Sequence, residues 1–209
     1  ATLLTQIEVE PGDPAFTHPS KPIGPVYAEL VARRLAQEKG WSIAPDGEGY
    51  RRVVPSPRPR RILELGVIEI LVDLGVIVIC AGGGGIPVVS REDGSLTGIE
   101  AVIDKDAASA LLARELKADA LLLLTDIEAV YSSWGGKEAR AIRRISPQAI
   151  GEYAFAAGSM GPKVQAACEF VEQTGGIAAI GSLKDAAAIL RGEAGTGITA
   201  ACDEVEGWG

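Results

Sequence analysis

Downstream of residue 57, three unbroken apolar runs follow one another: Val76-Ile77-Val78-Ile79-Cys80-Ala81, Ala120-Leu121-Leu122-Leu123-Leu124 and Ile177-Ala178-Ala179-Ile180. No charged or amide side chain marks either face of these runs for water, so they suit strands covered on both sides. Each follows a stretch whose apolar residues recur at helical spacing: 60–74, 107–117 and 162–174, with a shorter helix expected over 185–190. Helices alternating with doubly covered strands define an α/β fold, a mostly parallel sheet sandwiched between helix layers. The longest apolar stretch, 62–81, carries Glu64, Glu69 and Asp73, so it reads as helix then strand rather than a membrane span. With 209 residues, 47 % of them hydrophobic, the chain can bury a sizeable core, as one generous domain or a domain with an appendage.

The first quarter is patterned differently. Residues 3–9 read as a strand closed by Pro11-Gly12-Asp13-Pro14, and 19–25 is too proline-rich for a regular element. A helix is expected over 26–39, with Tyr27, Leu30, Val31 and Leu35 on one stripe, followed by strand-like Arg51-Arg52-Val53-Val54. The proline-marked, more polar segment 13–57 is expected to protrude from the main domain as a small subdomain, the whole chain otherwise forming one domain over 1–209.

Charge and reactive side chains narrow the function classes. With 20 Lys and Arg against 28 Asp and Glu the net charge is −8, which argues against a general nucleic-acid or membrane-surface binder. Three distant cysteines, Cys80, Cys168 and Cys202, read as reduced, partly buried thiols. A lone His18 excludes a His-rich metal site and weakens a Ser-His-Asp arrangement. No charged segment followed by an apolar run opens the chain, so no signal peptide is expected.

Ligands of open α/β sheets gather beyond the carboxyl ends of the strands, and three such ends carry unusual residues. Gly82, Gly83, Gly84 and Gly85 remove four Cβ atoms, so backbone amides there can approach an anion, although a plain tight turn fits equally well. Thr125 and Asp126 set a hydroxyl and a carboxylate after five apolar residues, where Asp126 could also serve as a cap. In Gly158-Ser159-Met160-Gly161-Pro162-Lys163, Pro162 suits the first helical position, and Lys163 is electrostatically unfavourable there unless an anion is near. Asp104-Lys105-Asp106 opens another helix; one aspartate is expected to cap it, which leaves the lysine unexplained. Two lysines at helix starts, with carboxylates to orient them, suit phosphoryl transfer, where positioning and charge neutralisation dominate.

These segments, in this order, resemble the carbamate kinases of the amino-acid kinase family. The matching runs are Asp13-Pro14-Ala15-Phe16, Lys21-Pro22-Ile23-Gly24-Pro25, Arg51-Arg52-Val53-Val54-Pro55-Ser56-Pro57, Gly82-Gly83-Gly84-Gly85-Ile86-Pro87, Asp104-Lys105-Asp106, Phe155 through Lys163, and Gly195-Thr196-Gly197. The resemblance implies the reaction ADP + carbamoyl phosphate = ATP + carbamate, with Mg²⁺, in a cytoplasmic homodimer associated with arginine breakdown and binding neither nucleic acid nor membrane. It further implies that Lys105 and Lys163 contact the transferring phosphoryl group, that Asp106 holds them, and that Lys21 reaches in from the protruding subdomain. Thr125, Asp126, Val130, Tyr131, Met160, Gly161 and Pro162 would border the nucleotide. Family members begin with a strand and a Gly-Gly-Asn loop, whereas this sequence opens at what resembles a later strand, so a partial or partner-supplied beginning is expected. A non-catalytic nucleotide-binding module, or a relative acting on another acyl or nucleoside phosphate, stays open at this point.

Overall fold

Cross-strand partners, rather than local propensity, decide the first half of the chain. A computed structural model describes residues 1–132, 139–155, 160–202 and 204–208. Its contacts divide into two units, Ala1–Ala108 and Ser109–Gly209. In the first, β1 (Gln6–Val9), β2 (Lys21–Tyr27), α1 (Glu29–Lys39), β3 (Ser42–Asp46), β4 (Gly49–Val54), β5 (Pro59–Ile62), α2 (Leu65–Asp73), β6 (Ile86–Ser90) and β7 (Leu96–Gly98) precede the start of α3 (Lys105–Glu115). A four-stranded sheet runs β5-β1-β6-β7, parallel between β1 and β6 and antiparallel elsewhere. Ile7, Val9, Ile62 and Val88 are buried in it.

Segment 60–74 is not one helix. Arg61 and Arg60 pair with Glu8 and Glu10 across β1, and Ile62 meets buried Ile7 in register, so the first residues are drawn into β5. The helix begins only after Glu64, whose carboxylate accepts the Gln6 N–H at 2.8 Å. The run 76–81 is not the doubly covered strand its composition suggests: it forms only an isolated parallel bridge, Thr2 to Ile79, with Ile77 86 % exposed and Ala81 in the left-handed region at φ +52°. Hydrogen bonds to residues 1–3 hold it on one side, too few consecutive pairs for a ladder.

A separate three-stranded sheet, β2-β4-β3, carries α1. The proline-rich stretch is therefore a strand, and β2 is an edge, where missing proline N–H groups interrupt no ladder. Extending β2 to Tyr27 delays α1 to Glu29; that helix buries Ala32, while Leu30 of the expected stripe is exposed.

The second unit contains the remainder of α3, then β8 (Ala120–Thr125), β9 (Ile142–Ile145), α4 (Pro147–Ile150), α5 (Met160–Thr174), β10 (Ile177–Ser182), α6 (Ala186–Leu190), β11 (Thr196–Ile198) and β12 (Glu206–Gly207). Its sheet runs β12-β9-β11-β10-β8. As expected from the apolar runs, β8 and β10 pair in parallel over six residues, from Ala120–Ile177 to Thr125–Ser182. Pairing is parallel again between β11 and β9, and antiparallel for β10–β11 and β12–β9. Helix α5 packs on β8, β10 and β11, and its buried Val164, Ala167, Phe170 and Val171 join Leu121, Leu123, Ile145, Ile180 and Ile198 in one core. The α/β architecture with helices on the sheets is the one the sequence pattern implies, but in place of one mostly parallel sheet the described residues form three, with parallel pairing only at β1–β6, β8–β10 and β9–β11, because several short strands find antiparallel partners. Among the described residues no helix is long and apolar enough to cross a membrane.

Candidate functional site

Gly84 is where the glycine run meets the segment leading into α3. It adopts φ +102°, and a Cβ there would lie 2.1 Å from the Ile103 carbonyl oxygen and 3.4 Å from the Lys105 nitrogen. Only glycine lets the loop press this closely on residues 103–105. A Cβ on Gly85 would meet Ile7 at 2.8 Å, whereas Gly82 and Gly83 face open space. The amides of Gly84 and Gly85 close the turn onto Ala81 and Gly82, so its outer face is formed by Gly82 and Gly83.

Asp104 is the aspartate that caps α3. Its Oδ1 accepts the Asp106 and Ala107 N–H groups at 2.9 and 3.2 Å. The other oxygen accepts the Lys21 ammonium, 83 residues away in sequence. Burial alone would raise the Asp104 pKa, but the Lys21 hydrogen bond and charge, with the two backbone N–H groups, outweigh it and hold the carboxyl below its usual range. Two further bonds fix the same approach: Arg52 to Glu100 at 2.7 Å and Val102 N–H to the Pro55 carbonyl at 2.9 Å. Sequence reasoning offers Asp104 only a possible cap; its partnership with Lys21 carries no local signal, because it depends on how the β2 sheet folds back.

Lys105 extends from the first turn of α3 with its side chain 61 % exposed and its ammonium 3.7 Å from the buried Asp106 carboxylate. The first unit therefore brings together Lys21, Asp104, Lys105, Asp106 and the Gly82–Gly85 turn. A cation, an N-terminal helix end and a glycine turn in one place form a setting for an anion.

In the second unit, Thr125 ends β8 beside Ser182 of β10, and its hydroxyl donates to Asp126 at 3.0 Å. Val130 is fully buried, and Tyr131 forms a bridge with Ala141. Met160 packs against the core that contains Val130. Helix α5 starts at Met160, so Pro162 is its third residue rather than its first; its missing N–H still falls among the amides a helix leaves unpaired. Lys163 lies in that first turn and is buried, 9 % exposed, an unusual state for a lysine. Ala156, Ala157, Gly158 and Ser159 of the run quoted above lie outside the described residues. Among the described residues no group of three or more His, Cys, Asp or Glu side chains could hold a metal ion. The three cysteines are free, and burial with the nearby Glu172 and Glu169 pushes the Cys168 thiol up to about 11.

The chain belongs to the amino acid kinase family, whose sequence pattern matches residues 12–180. It is 58 % identical over 199 residues to carbamate kinase of Haemophilus influenzae, covering 95 % of this chain and 64 % of that protein. Carbamate kinase of Rhizobium meliloti is 53 % identical over 207 residues, with 98 % and 64 % covered. Among solved structures, carbamate kinase from Giardia lamblia bound to AMP-PNP superposes with a TM-score of 0.82 at 45 % identity, covering 95 % of this chain and 65 % of that one. The same enzyme bound to citric acid gives 0.86 at 43 % identity, with 95 % and 64 % covered. The chain thus spans about 64 % of the length of the curated relatives it matches.

Proposed function

We propose that the protein is a phosphotransferase of the carbamate kinase type, catalysing ADP + carbamoyl phosphate = ATP + carbamate, the carbamate then decomposing to ammonia and CO₂. The observation that carries this reading is the gathering of Lys21, Asp104, Lys105 and Asp106 at the glycine turn. In the transfer, an oxygen of the ADP β-phosphate attacks phosphorus and the bond from phosphorus to the carbamate oxygen breaks. Charge spreads over the three remaining phosphoryl oxygens, and fixed cations stabilise it.

Lys105 and Lys163 act as those cations, and Asp106 orients Lys105 at 3.7 Å. Lys21 attends the carbamoyl phosphate from the 13–57 subdomain. Thr125, Asp126, Val130, Tyr131, Met160, Gly161 and Pro162 border the nucleotide, and Gly82–Gly85 line the phosphate side. Mg²⁺ enters with the nucleotide as part of the substrate, held largely by phosphate oxygens and water. Likeness to the carbamate kinases extends the proposal to a cytoplasmic homodimer working in arginine breakdown.

A luciferase-coupled assay of ATP formed from ADP and carbamoyl phosphate tests the reading directly. ATP formation dependent on both substrates is expected. Nucleotide binding without turnover, or turnover only with a different phosphoryl donor, contradicts it.

A further inference from the structure

We infer that Thr196 is a positioning residue for the loop 126–131, a role that rests on the nucleotide reading above. Thr196 is the most deeply buried polar side chain among the described residues, with 0 % exposure. Its hydroxyl donates to the Ile142 carbonyl at 2.5 Å and accepts the Val130 N–H at 2.8 Å. The Ile142 N–H in turn donates to the Val130 carbonyl at 2.8 Å. Both polar groups of Val130 are therefore fixed, one by β9 and one by a side chain of β11.

A neutral hydroxyl is suited to this bridge because it donates and accepts at once. The loop is seated at neighbouring points as well. A Cβ at Gly181 would come within 3.1 Å of the Glu128 carbonyl and 2.9 Å of the Gly195 Cα, so Glu128 rests on a floor that only glycine leaves low enough. The Gly195 carbonyl is itself tied to the Trp208 indole N–H at 2.8 Å. Tyr131, the next residue along, bridges to Ala141. Thr196 thus ties the loop to β9, the neighbour of its own strand, through a single hydroxyl. A loop already ordered before the ligand arrives loses less freedom on binding.

The test uses the full chain, with ADP as probe in isothermal titration calorimetry and Val130 amide exchange followed by NMR. Thr196→Val keeps the shape and removes the bridge, leaving the Val130 N–H and Ile142 carbonyl buried without it; ADP binding is expected to weaken about tenfold, with faster Val130 exchange. Thr196→Ser keeps the hydroxyl and is expected to stay within about twofold of the parent. A folded Thr196→Val chain that binds ADP as the parent does overturns the inference and leaves the nucleotide reading intact. A parent chain that binds no ADP overturns that reading and this inference with it. Should Thr196→Val fail to fold, saturating the parent with ADP decides: slower Val130 exchange supports the coupling, and unchanged exchange overturns it.

Discussion

Asp104 performs two tasks with one carboxylate, capping α3 through Oδ1 and holding the Lys21 ammonium through Oδ2. Its lowered pKa means that it binds protons less readily folded than unfolded. The stability it contributes is complete above the ordinary carboxylate value of about 3.9 and is lost as pH falls through the lower folded value. Asp104→Asn keeps an acceptor for the cap but removes the negative charge that faces Lys21, at an expected cost of about 1–2 kcal/mol near neutral pH. Thermal melts of the two proteins are expected to differ by a constant amount between about pH 5 and 7 and to converge below about pH 4. A difference that widens on acidification would contradict the assigned partnership. Because the amide oxygen of the substituted side chain still caps the helix, Lys21 rather than α3 is the element set loose.

Among the elements, the glycine turn makes the sharpest stability prediction. Gly84→Ala forces a Cβ to within 2.1 Å of the Ile103 carbonyl at φ +102°, and is expected to destabilise the chain by about 2–4 kcal/mol in urea unfolding. Gly82→Ala, with no atom within 4 Å, should cost less than about 1 kcal/mol. Equal effects would mean that the turn does not press on the start of α3. Gly82 and Gly84 belong to one run and read identically in the sequence; only the approach of residue 103 separates them. The same limit explains which elements were legible. β8 and β10 announce themselves because continuous Leu, Ile and Ala runs need cover on both faces. By contrast β5 exists because Glu8 and Glu10 wait across β1 for Arg61 and Arg60, about fifty residues away. In β2 a free edge rescues prolines that local rules would exclude. Lys105 and Lys163 stand out in the sequence as cations at helix starts, one in each unit, whereas the partner of Lys21 does not, since no local spacing links residues 21 and 104.

For the whole molecule, apolar side chains left in water are the feature with measurable consequences. Leu4, Ile70, Leu74, Ile77 and Ile79 of the first unit are all more than 60 % exposed, although the net charge of −8 favours solubility. Sedimentation velocity of the 209-residue chain is expected to show concentration-dependent self-association, weakened by Leu74→Ser with Ile77→Ser; a monomer unaffected by either change would contradict this. The central claim is that fixed ammonium groups stabilise a moving phosphoryl group. It is tested most directly by the rate of ATP formation from ADP and carbamoyl phosphate in Lys105→Ala and Lys163→Ala, each beside its ADP affinity. Each substitution is expected to raise the barrier by about 3 kcal/mol, a fall of more than about 100-fold in turnover with ADP binding far less affected. Turnover within a few-fold of the parent in either variant would contradict the account.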